Sequence, residues 1–130
     1  MSEIEREIAT QPVCWATAVS RLPEVAGRLP APGQRVAAIG CGTSFHVAQS
    51  YATLREETGS GETDAFAASE FPSGRDYDAI VAVSRSGTTT EVVRALSAID
   101  RARSIAISAS LFSMRSCMTR SSASCGRRNP

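Results

Sequence analysis

The chain has no lysine and only one histidine, and both shortages limit its chemistry. Without lysine it cannot form a Schiff base with a carbonyl substrate, and it cannot supply the lysine of a phosphate-binding P-loop. The histidine, His46, is the only side chain in the chain that titrates near neutral pH without perturbation. His46 is therefore one candidate for acid-base chemistry, beside the carboxyl groups considered below.

Long hydrophobic runs are also missing. No apolar stretch approaches the roughly 20 residues that a transmembrane helix requires. The glutamate-rich start at residues 3–7 is unlike a signal peptide. We therefore expect a cytoplasmic protein with no membrane partner. With 130 residues and 42% hydrophobic content, the chain is long enough for one domain with a core.

Metal and dinucleotide signatures are absent as well. The four cysteines, at positions 14, 41, 117 and 125, have no pair at metal-ligand spacing. The glycine turn at residues 40–42 has Phe45 where the dinucleotide fingerprint has its third glycine, which makes NAD binding the weaker interpretation. We expect no metal and no cofactor. Cys41 is either a small side chain packed in a tight turn, which we favour, or a thiol activated by the nearby helix start.

Acidic residues are missing from the last thirty positions, which contain six arginines, whereas the first hundred carry a net charge of −5. Hydrophobic periodicity fails from residue 110 onward. We expect residues 111–130 to be disordered, and we interpret the change as a shifted reading frame or a truncated gene near residues 108–111. The other interpretation is a nucleic-acid-binding arm. We expect no nucleic acid partner, because the arginines are not interleaved with aromatic residues for base stacking.

Strand-like and helix-like patterns alternate through the first 108 residues. The helical patterns cover residues 44–57 and 90–100, and the strand-like runs cover residues 36–39, 63–67, 79–83 and 104–107. This alternation predicts an α/β fold with a parallel, doubly wound sheet between helices. Upstream, residues 2–10 and 13–21 are predicted to form two helices separated at Gln11 and Pro12, because proline removes a backbone donor.

Two of the predicted strands end in a polar turn that leads into a helix. The first turn, at residues 40–42, is followed by Thr43 and Ser44, either of which we expect to cap the helix. The second, at residues 84–89, carries four hydroxyl groups around Gly87. Helix starts offer unpaired N–H groups and the positive end of the helix dipole. Because ligands bind beyond the carboxyl ends of strands where strand order reverses, the two turns together predict a phosphate site.

Three motifs resemble, in order and spacing, the sugar isomerase (SIS) domain. They are CGTSFH at residues 41–46, ASEF at 68–71 and SRSGTTTE at 84–91. The greatest likeness is to the isomerase half of glutamine-fructose-6-phosphate aminotransferase, and it covers about residues 4–108. It implies a five-stranded sheet in flavodoxin-like order over residues 35–110, a helical lead-in over 1–34, a phosphosugar ligand and a homo-oligomer.

The resemblance also assigns residues to the ligand. The phosphate falls on the second loop, and the sugar hydroxyls fall on Gly42, Thr43 and Ser44. The residues implied for the phosphate are Ser84, Arg85, Ser86, Gly87, Thr88 and Thr89. The aminotransferase pattern has glutamine at the position of Arg85 and glutamate at that of Thr88. Arg85 either contacts the phosphate or points into solvent.

Catalytic residues are not identified. Isomerisation needs a base and an acid, and the weak candidates are Glu70 and His46, each of which also has a structural interpretation. Glu91 fits a first-turn residue that favours the helix dipole. The family's second repeat, which carries its catalytic residues, has no counterpart in the sequence. Two functions stay open: part of a sugar-phosphate isomerase or aminotransferase, and a non-catalytic phosphosugar-sensing regulatory module.

Overall fold

The computed structural model describes residues 1–99 and 104–108. Two helices open the chain and are followed by four strands that alternate with two further helices. The elements are α1 (Glu3–Ser20), α2 (Leu22–Val25), β1 (Val36–Gly40), α3 (Thr43–Glu57), β2 (Thr63–Ala67), β3 (Ala79–Ser84), α4 (Thr90–Ser97) and β4 (Ser104–Ser108). Short 3-10 turns lie at Ala26–Arg28 and Ala68–Glu70. No helix in this part of the chain is long and apolar enough to cross a membrane.

The four strands form one parallel sheet in the order β2-β1-β3-β4. Val36 at the start of β1 pairs with Thr63 on one side and with Ala79 on the other. The parallel α/β architecture and the flavodoxin-like strand order are therefore confirmed. The fifth strand that the resemblance implies is not among the described residues.

Helices cover both faces of the sheet, as expected for a doubly wound fold. In β1, where residues point alternately to opposite faces, Ala37 and Ile39 belong to the cluster that includes Val92 of α4. Val36 belongs to the cluster on the opposite face, against which Tyr51 of α3 packs. All five residues of β1 are buried. The sequence of β1 is accordingly apolar throughout, as in strands that have both faces covered.

The predicted break at Pro12 is wrong, because α1 runs through this residue without interruption. Ser2 caps the helix in a capping box with Glu5: the Glu5 N–H donates to Ser2 Oγ (3.2 Å) and the Ser2 N–H donates to Glu5 Oε2 (2.7 Å). Pro12 removes one backbone hydrogen bond from the helix. Since every residue of α1 is exposed, water can satisfy the carbonyl that loses its partner.

Most of the other predicted boundaries agree with the structure to within one residue. The strand over residues 63–67 is found in full. The last predicted helix ends at Ser97 rather than at residue 100, which lies outside the described residues. The predicted disordered segment, residues 111–130, also lies outside them.

A buried arginine joins the start of the sheet to the connector that precedes it. Arg55, on the last turn of α3, is 8% exposed and faces no carboxylate among its hydrogen-bond partners. Its guanidinium donates instead to one hydroxyl and four backbone carbonyls: Thr63 Oγ1 (3.1 Å), Ser60 O (2.8 Å), Gln34 O (3.2 Å), Pro30 O (3.4 Å) and Ala31 O (3.4 Å). A guanidinium has five N–H donors in a planar fork, and lysine has only three. Arg55 thereby fixes residues 30–34 against the turn before β2.

A buried tyrosine ties β2 to the loop before β3. Tyr77 is 3% exposed and donates its hydroxyl hydrogen to Asp64 Oδ2 at 2.6 Å. Its ring lies 6.3 Å from that of Phe66 and 6.2 Å from that of Phe71, centroid to centroid. Burial raises the pKa of Tyr77 above its ordinary value, and the hydrogen bond to Asp64 raises it further.

Replacing Arg55 with alanine should destabilise the fold by at least about 2 kcal/mol, because the carbonyls it binds lose their donors. Arg55→Lys should also destabilise the protein, since an ammonium cannot reach all five acceptors. Arg94→Ala, at an exposed position of α4, is the matched control and should lie within about 0.5 kcal/mol of wild type. Urea unfolding measures all three, and a wild-type midpoint for Arg55→Ala would contradict the role given to this side chain.

Alkaline pH should weaken the fold through Tyr77. Because the pKa of Tyr77 is raised in the folded state, its contribution is fully present below about pH 10 and is lost as pH rises through the folded pKa. The free energy of unfolding should therefore fall less steeply in Tyr77→Phe than in wild type between about pH 9 and about pH 11. Identical slopes for Tyr77→Phe and wild type would count against this expectation.

Candidate functional site

The carboxyl ends of the two central strands meet where the direction of winding changes. From β1 the chain crosses through α3 to β2 on one side, and from β3 it crosses through α4 to β4 on the other. Gly40, the last residue of β1, pairs with Val83 near the end of β3. The loops that follow these strands therefore flank one crevice, the position at which doubly wound folds bind ligands.

The first loop depends on two glycines. A Cβ atom on Gly40 would lie 2.5 Å from the backbone oxygen of Ser44 and 2.8 Å from the Phe45 nitrogen, so only glycine lets α3 start this close to β1. Gly42 has a φ of +54°, which side chains other than that of glycine rarely adopt. Together they bring the start of α3 against the end of the central strand.

The predicted capping by Thr43 or Ser44 is wrong. Gly42 is the N-cap residue, no side chain caps the helix, and both hydroxyl residues lie in its first turn. The reason is the sharp turn: the Ser44 N–H donates to Cys41 O (3.1 Å) and the Phe45 N–H donates to Gly42 O (3.0 Å), so two amides of the first turn already have backbone partners. The hydroxyls of Thr43 and Ser44 are consequently not needed as caps.

The second loop is held together by its own hydroxyl groups. Ser84, 6% exposed, accepts the Gly87 N–H at Oγ (3.0 Å), and the same Oγ lies 3.1 Å from Thr89 Oγ1. Ser86 Oγ accepts both the backbone N–H (3.3 Å) and the hydroxyl (3.1 Å) of Thr88. Gly87 has a φ of +68°, so a glycine suits the turn at this point. The loop is thus held in a bend by its own hydrogen bonds.

The start of α4 has no side-chain cap. Thr89 is the N-cap residue, but its hydroxyl is hydrogen-bonded to Ser84 instead of to an amide of the first helical turn. Backbone N–H groups at the start of α4 are therefore left for another acceptor, and the helix dipole makes an anion favourable there. Arg85, an exposed residue of the same loop, adds positive charge nearby.

The two catalytic candidates are exposed and share no hydrogen bond with each other in the described structure. His46 lies one helical turn into α3, with Nδ1 3.1 Å from Gln49 Oε1 and its ring 5.8 Å from that of Phe45. Glu70 ends the 3-10 turn after β2, the turn against which α4 packs. Glu91 lies in the first turn of α4, as expected. Cys41 is half-buried and packs against the core cluster on the α4 face, in line with the packed interpretation.

The described cavities lie away from this crevice. An open cavity of about 310 Å³ is lined by Glu56, Gly59, Gly61 and Glu62, at the opposite end of the sheet. A second, of about 150 Å³, lies between Phe71, Tyr77 and the residues after α4. Within residues 1–99 and 104–108 no group of three or more His, Cys, Asp or Glu side chains could hold a metal ion. The candidate site is therefore defined by the two loops and the start of α4, where backbone N–H groups can bind an anion.

Two features of the site escaped the sequence-based predictions. The bond between Ser84 and Thr89 joins residues five apart through a turn, and no period in the sequence marks it. The close approach at Gly40 depends on the position of α3, which only the folded chain defines. The Gly-Cys-Gly sequence was the one available signal for it, since glycines cluster where backbones approach closely.

Comparison with protein families gives one match. The family model of the SIS domain matches residues 31–114, more than half of the chain. The matched segment includes both loops of the crevice. No curated protein matches the chain.

Replacing Gly40 with alanine should destabilise the protein by about 1–3 kcal/mol or more, because the new methyl group would overlap the backbone of Ser44. Gly74→Ala is the control, since a Cβ at Gly74 meets nothing within 4 Å and its φ is not positive. Thermal unfolding of the two variants tests the difference. Equal melting temperatures would contradict the close approach of α3 to β1.

Proposed function

The chain belongs to the SIS domain family, whose domains bind phosphosugars and related carbohydrate derivatives, and we propose that its own ligand is a sugar phosphate held in the crevice between β1 and β3. The observation that carries this proposal is the loop after β3. Its bend is held by the Ser84 hydrogen bonds, and it ends at a helix whose first amides have no side-chain cap. A phosphate group, whose oxygens accept hydrogen bonds, complements the free backbone N–H groups at the start of such a helix.

In this proposal some residues of the second loop fix its shape and others contact the phosphate. Ser84 is buried and already hydrogen-bonded on both sides, so it shapes the loop. Ser86, Thr88 and Thr89 are less buried and can turn their hydroxyls toward the phosphate, with Gly87 letting the backbone come close. Arg85 supplies positive charge to the phosphate, together with the dipole of α4.

The sugar lies, in the same proposal, against the first loop. Thr43 and Ser44 do not cap α3, and a Cβ atom at the neighbouring Gly42 would meet nothing within 4 Å. Hydroxyl groups both donate and accept, so they can pair with the hydroxyls of a sugar in either direction. This arrangement supports a polyhydroxylated ligand and leaves the identity of the sugar to experiment.

For activity, we propose that the chain is part of a sugar-phosphate isomerase or an isomerising aminotransferase, with Glu70 and His46 as the candidates for proton transfer. The alternative is a phosphosugar sensor without catalysis. One observation favours the alternative: Glu70 and His46 are both exposed, and neither is enclosed in a pocket of the described structure. Interconversion of fructose 6-phosphate and glucose 6-phosphate, followed by NMR, separates the two, because a sensor binds both sugars and converts neither.

Thermal unfolding with added ligand tests binding directly. Fructose 6-phosphate or glucosamine 6-phosphate at about 100 times the dissociation constant should stabilise the protein by roughly 2.7 kcal/mol, and inorganic phosphate alone should stabilise it less. Ser86→Ala with Thr89→Ala should abolish the shift.

The matched control is Ser50→Ala with Thr53→Ala, two hydroxyls on the exposed side of α3 that bond only to their own helix. This pair should keep the ligand-induced shift. A shift that survives in Ser86→Ala with Thr89→Ala would place the ligand elsewhere. A cooperative transition that no sugar phosphate moves would overturn the proposal.

A further inference from the structure

The hydroxyl group of Ser86, in the loop after β3, is already used as an acceptor on both of its lone pairs. Its Oγ accepts one hydrogen from the backbone N–H of Thr88 (3.3 Å) and a second from the Thr88 hydroxyl (3.1 Å). A serine oxygen has two lone pairs and one hydrogen. Ser86 therefore has its hydrogen left to donate to a ligand, whereas Thr88 has donated its own hydrogen to Ser86.

The buried hydroxyl of Ser84 determines the direction of the hydrogen bond to Thr89. Ser84 Oγ accepts the Gly87 N–H (3.0 Å) and lies 3.1 Å from Thr89 Oγ1, so one of the two hydroxyls donates to the other. If Thr89 donated, the hydrogen of Ser84 would need a further acceptor, and Ser84 Oγ has no other partner among the described residues. Ser84 is 6% exposed, and a buried donor without an acceptor is unfavourable. Ser84 is therefore the donor, and Thr89 keeps its own hydrogen for a ligand.

The loop consequently presents several hydrogen-bond donors at one place. They are the hydroxyls of Ser86 and Thr89, the guanidinium of Arg85 and the uncapped amides at the start of α4. Such a set is satisfied by acceptor oxygens that carry no hydrogen of their own. The charge of Arg85 and the positive end of the α4 dipole also favour a ligand with more than one negative charge.

We infer that this loop selects the dianion of a phosphate monoester, and that Ser86 and Thr89 make the selection through their hydroxyl hydrogens. The selection rests on the proposed function, since it concerns the same ligand. A phosphate monoester is a dianion above its second pKa of about 6, and its three terminal oxygens then only accept hydrogen bonds. Below that pH one of these oxygens carries a hydrogen, which removes both an acceptor and a charge. A sulfate ester carries a single negative charge and should bind more weakly.

The sign of the resulting pH dependence separates ionisation of the ligand from ionisation of the protein. The titratable groups on the described elements around the crevice are Cys41, His46, Glu70 and Glu91. As pH rises, each of these groups loses positive charge or gains negative charge, which would weaken the binding of an anion. Arg85 stays charged throughout. Of all these ionisations, only that of the ligand strengthens binding as pH rises.

Calorimetric titration of the full chain with fructose 6-phosphate, between about pH 5 and about pH 7.5, tests the selection. The affinity should rise about tenfold over this range, because the fraction of dianion rises by that factor around a pKa of about 6. Fructose 6-sulfate, a monoanion throughout, should bind more weakly and should not gain affinity. The phosphonate analogue with a methylene group in place of the ester oxygen has a higher second pKa, so its rise should be displaced to higher pH.

Substitutions test which hydroxyls donate. Ser86→Ala should weaken fructose 6-phosphate binding at least about tenfold at about pH 7.5 and less at about pH 5, which flattens the rise with pH. Thr88→Val should weaken binding less than Ser86→Ala does, because the Thr88 hydrogen is already donated. Thr53→Val is the matched control: its hydroxyl bonds only to its own helix, and the dissociation constants should stay at the wild-type values.

Thr89→Val should flatten the pH dependence as Ser86→Ala does. Because valine also removes the acceptor of the buried Ser84 hydroxyl, thermal unfolding without ligand shows first whether this variant folds. Ser86→Ala leaves the pair of Ser84 and Thr89 intact and tests the selection in either case.

An affinity for fructose 6-phosphate that stays constant or falls as pH rises would overturn the selection and leave the proposed function standing. The same midpoint for the phosphate and the phosphonate would also overturn it, since a group of the protein would then be titrating. Equal losses in Ser86→Ala and Thr88→Val would contradict the donors assigned to the loop. Failure of fructose 6-phosphate and glucosamine 6-phosphate to bind at any pH would overturn the proposed function itself, and the selection with it.

Discussion

The structure depends on the confinement of β1. This strand has a neighbour on each side and a helix layer on each face, and all five of its residues are buried. At the end of this strand, Gly40 lies against the backbone of the first turn of α3. A methyl group at this position would overlap that backbone, so the close approach of α3 to β1 requires glycine. The position of the first loop follows from this packing.

The fold could be predicted from the sequence because its signals are local. Apolar runs such as residues 79–83 and the helical pattern before residue 57 each identify an element, and their alternation determines the class of fold. The two loops were predictable for the same reason, since each follows a strand directly. Pro12 was misread because its cost depends on solvent: a lost helical hydrogen bond is tolerable where water replaces it, as it does along an exposed helix.

The rest depended on tertiary contacts. Thr43 and Ser44 are residue types that often cap helices, which is why we expected them to cap α3. In the structure Gly42 is the N-cap residue, and backbone carbonyls of the turn accept the N–H groups of Ser44 and Phe45. The hydrogen bonds of Arg55 join segments up to 25 positions apart. Most of their acceptors are backbone carbonyls, which every residue has, so the sequence does not mark which residues Arg55 will bind. The internal bonding of the loop at residues 84–89 likewise requires a bend that several sequences could form. In each case the missing information is which backbone group lies nearby.

The hydrogen bonds of Arg55 also limit where such a chain can be divided or joined to another. By binding carbonyls of Pro30, Ala31 and Gln34, Arg55 makes the connector part of the sheet domain, although these residues belong to no strand or helix. The family match begins at the same place, at residue 31. A gene fusion or excision that exchanged the helical lead-in for another segment would therefore have to keep residues 30–34 with the sheet. A junction that preserves these contacts would lie before Pro30, several residues ahead of the first strand.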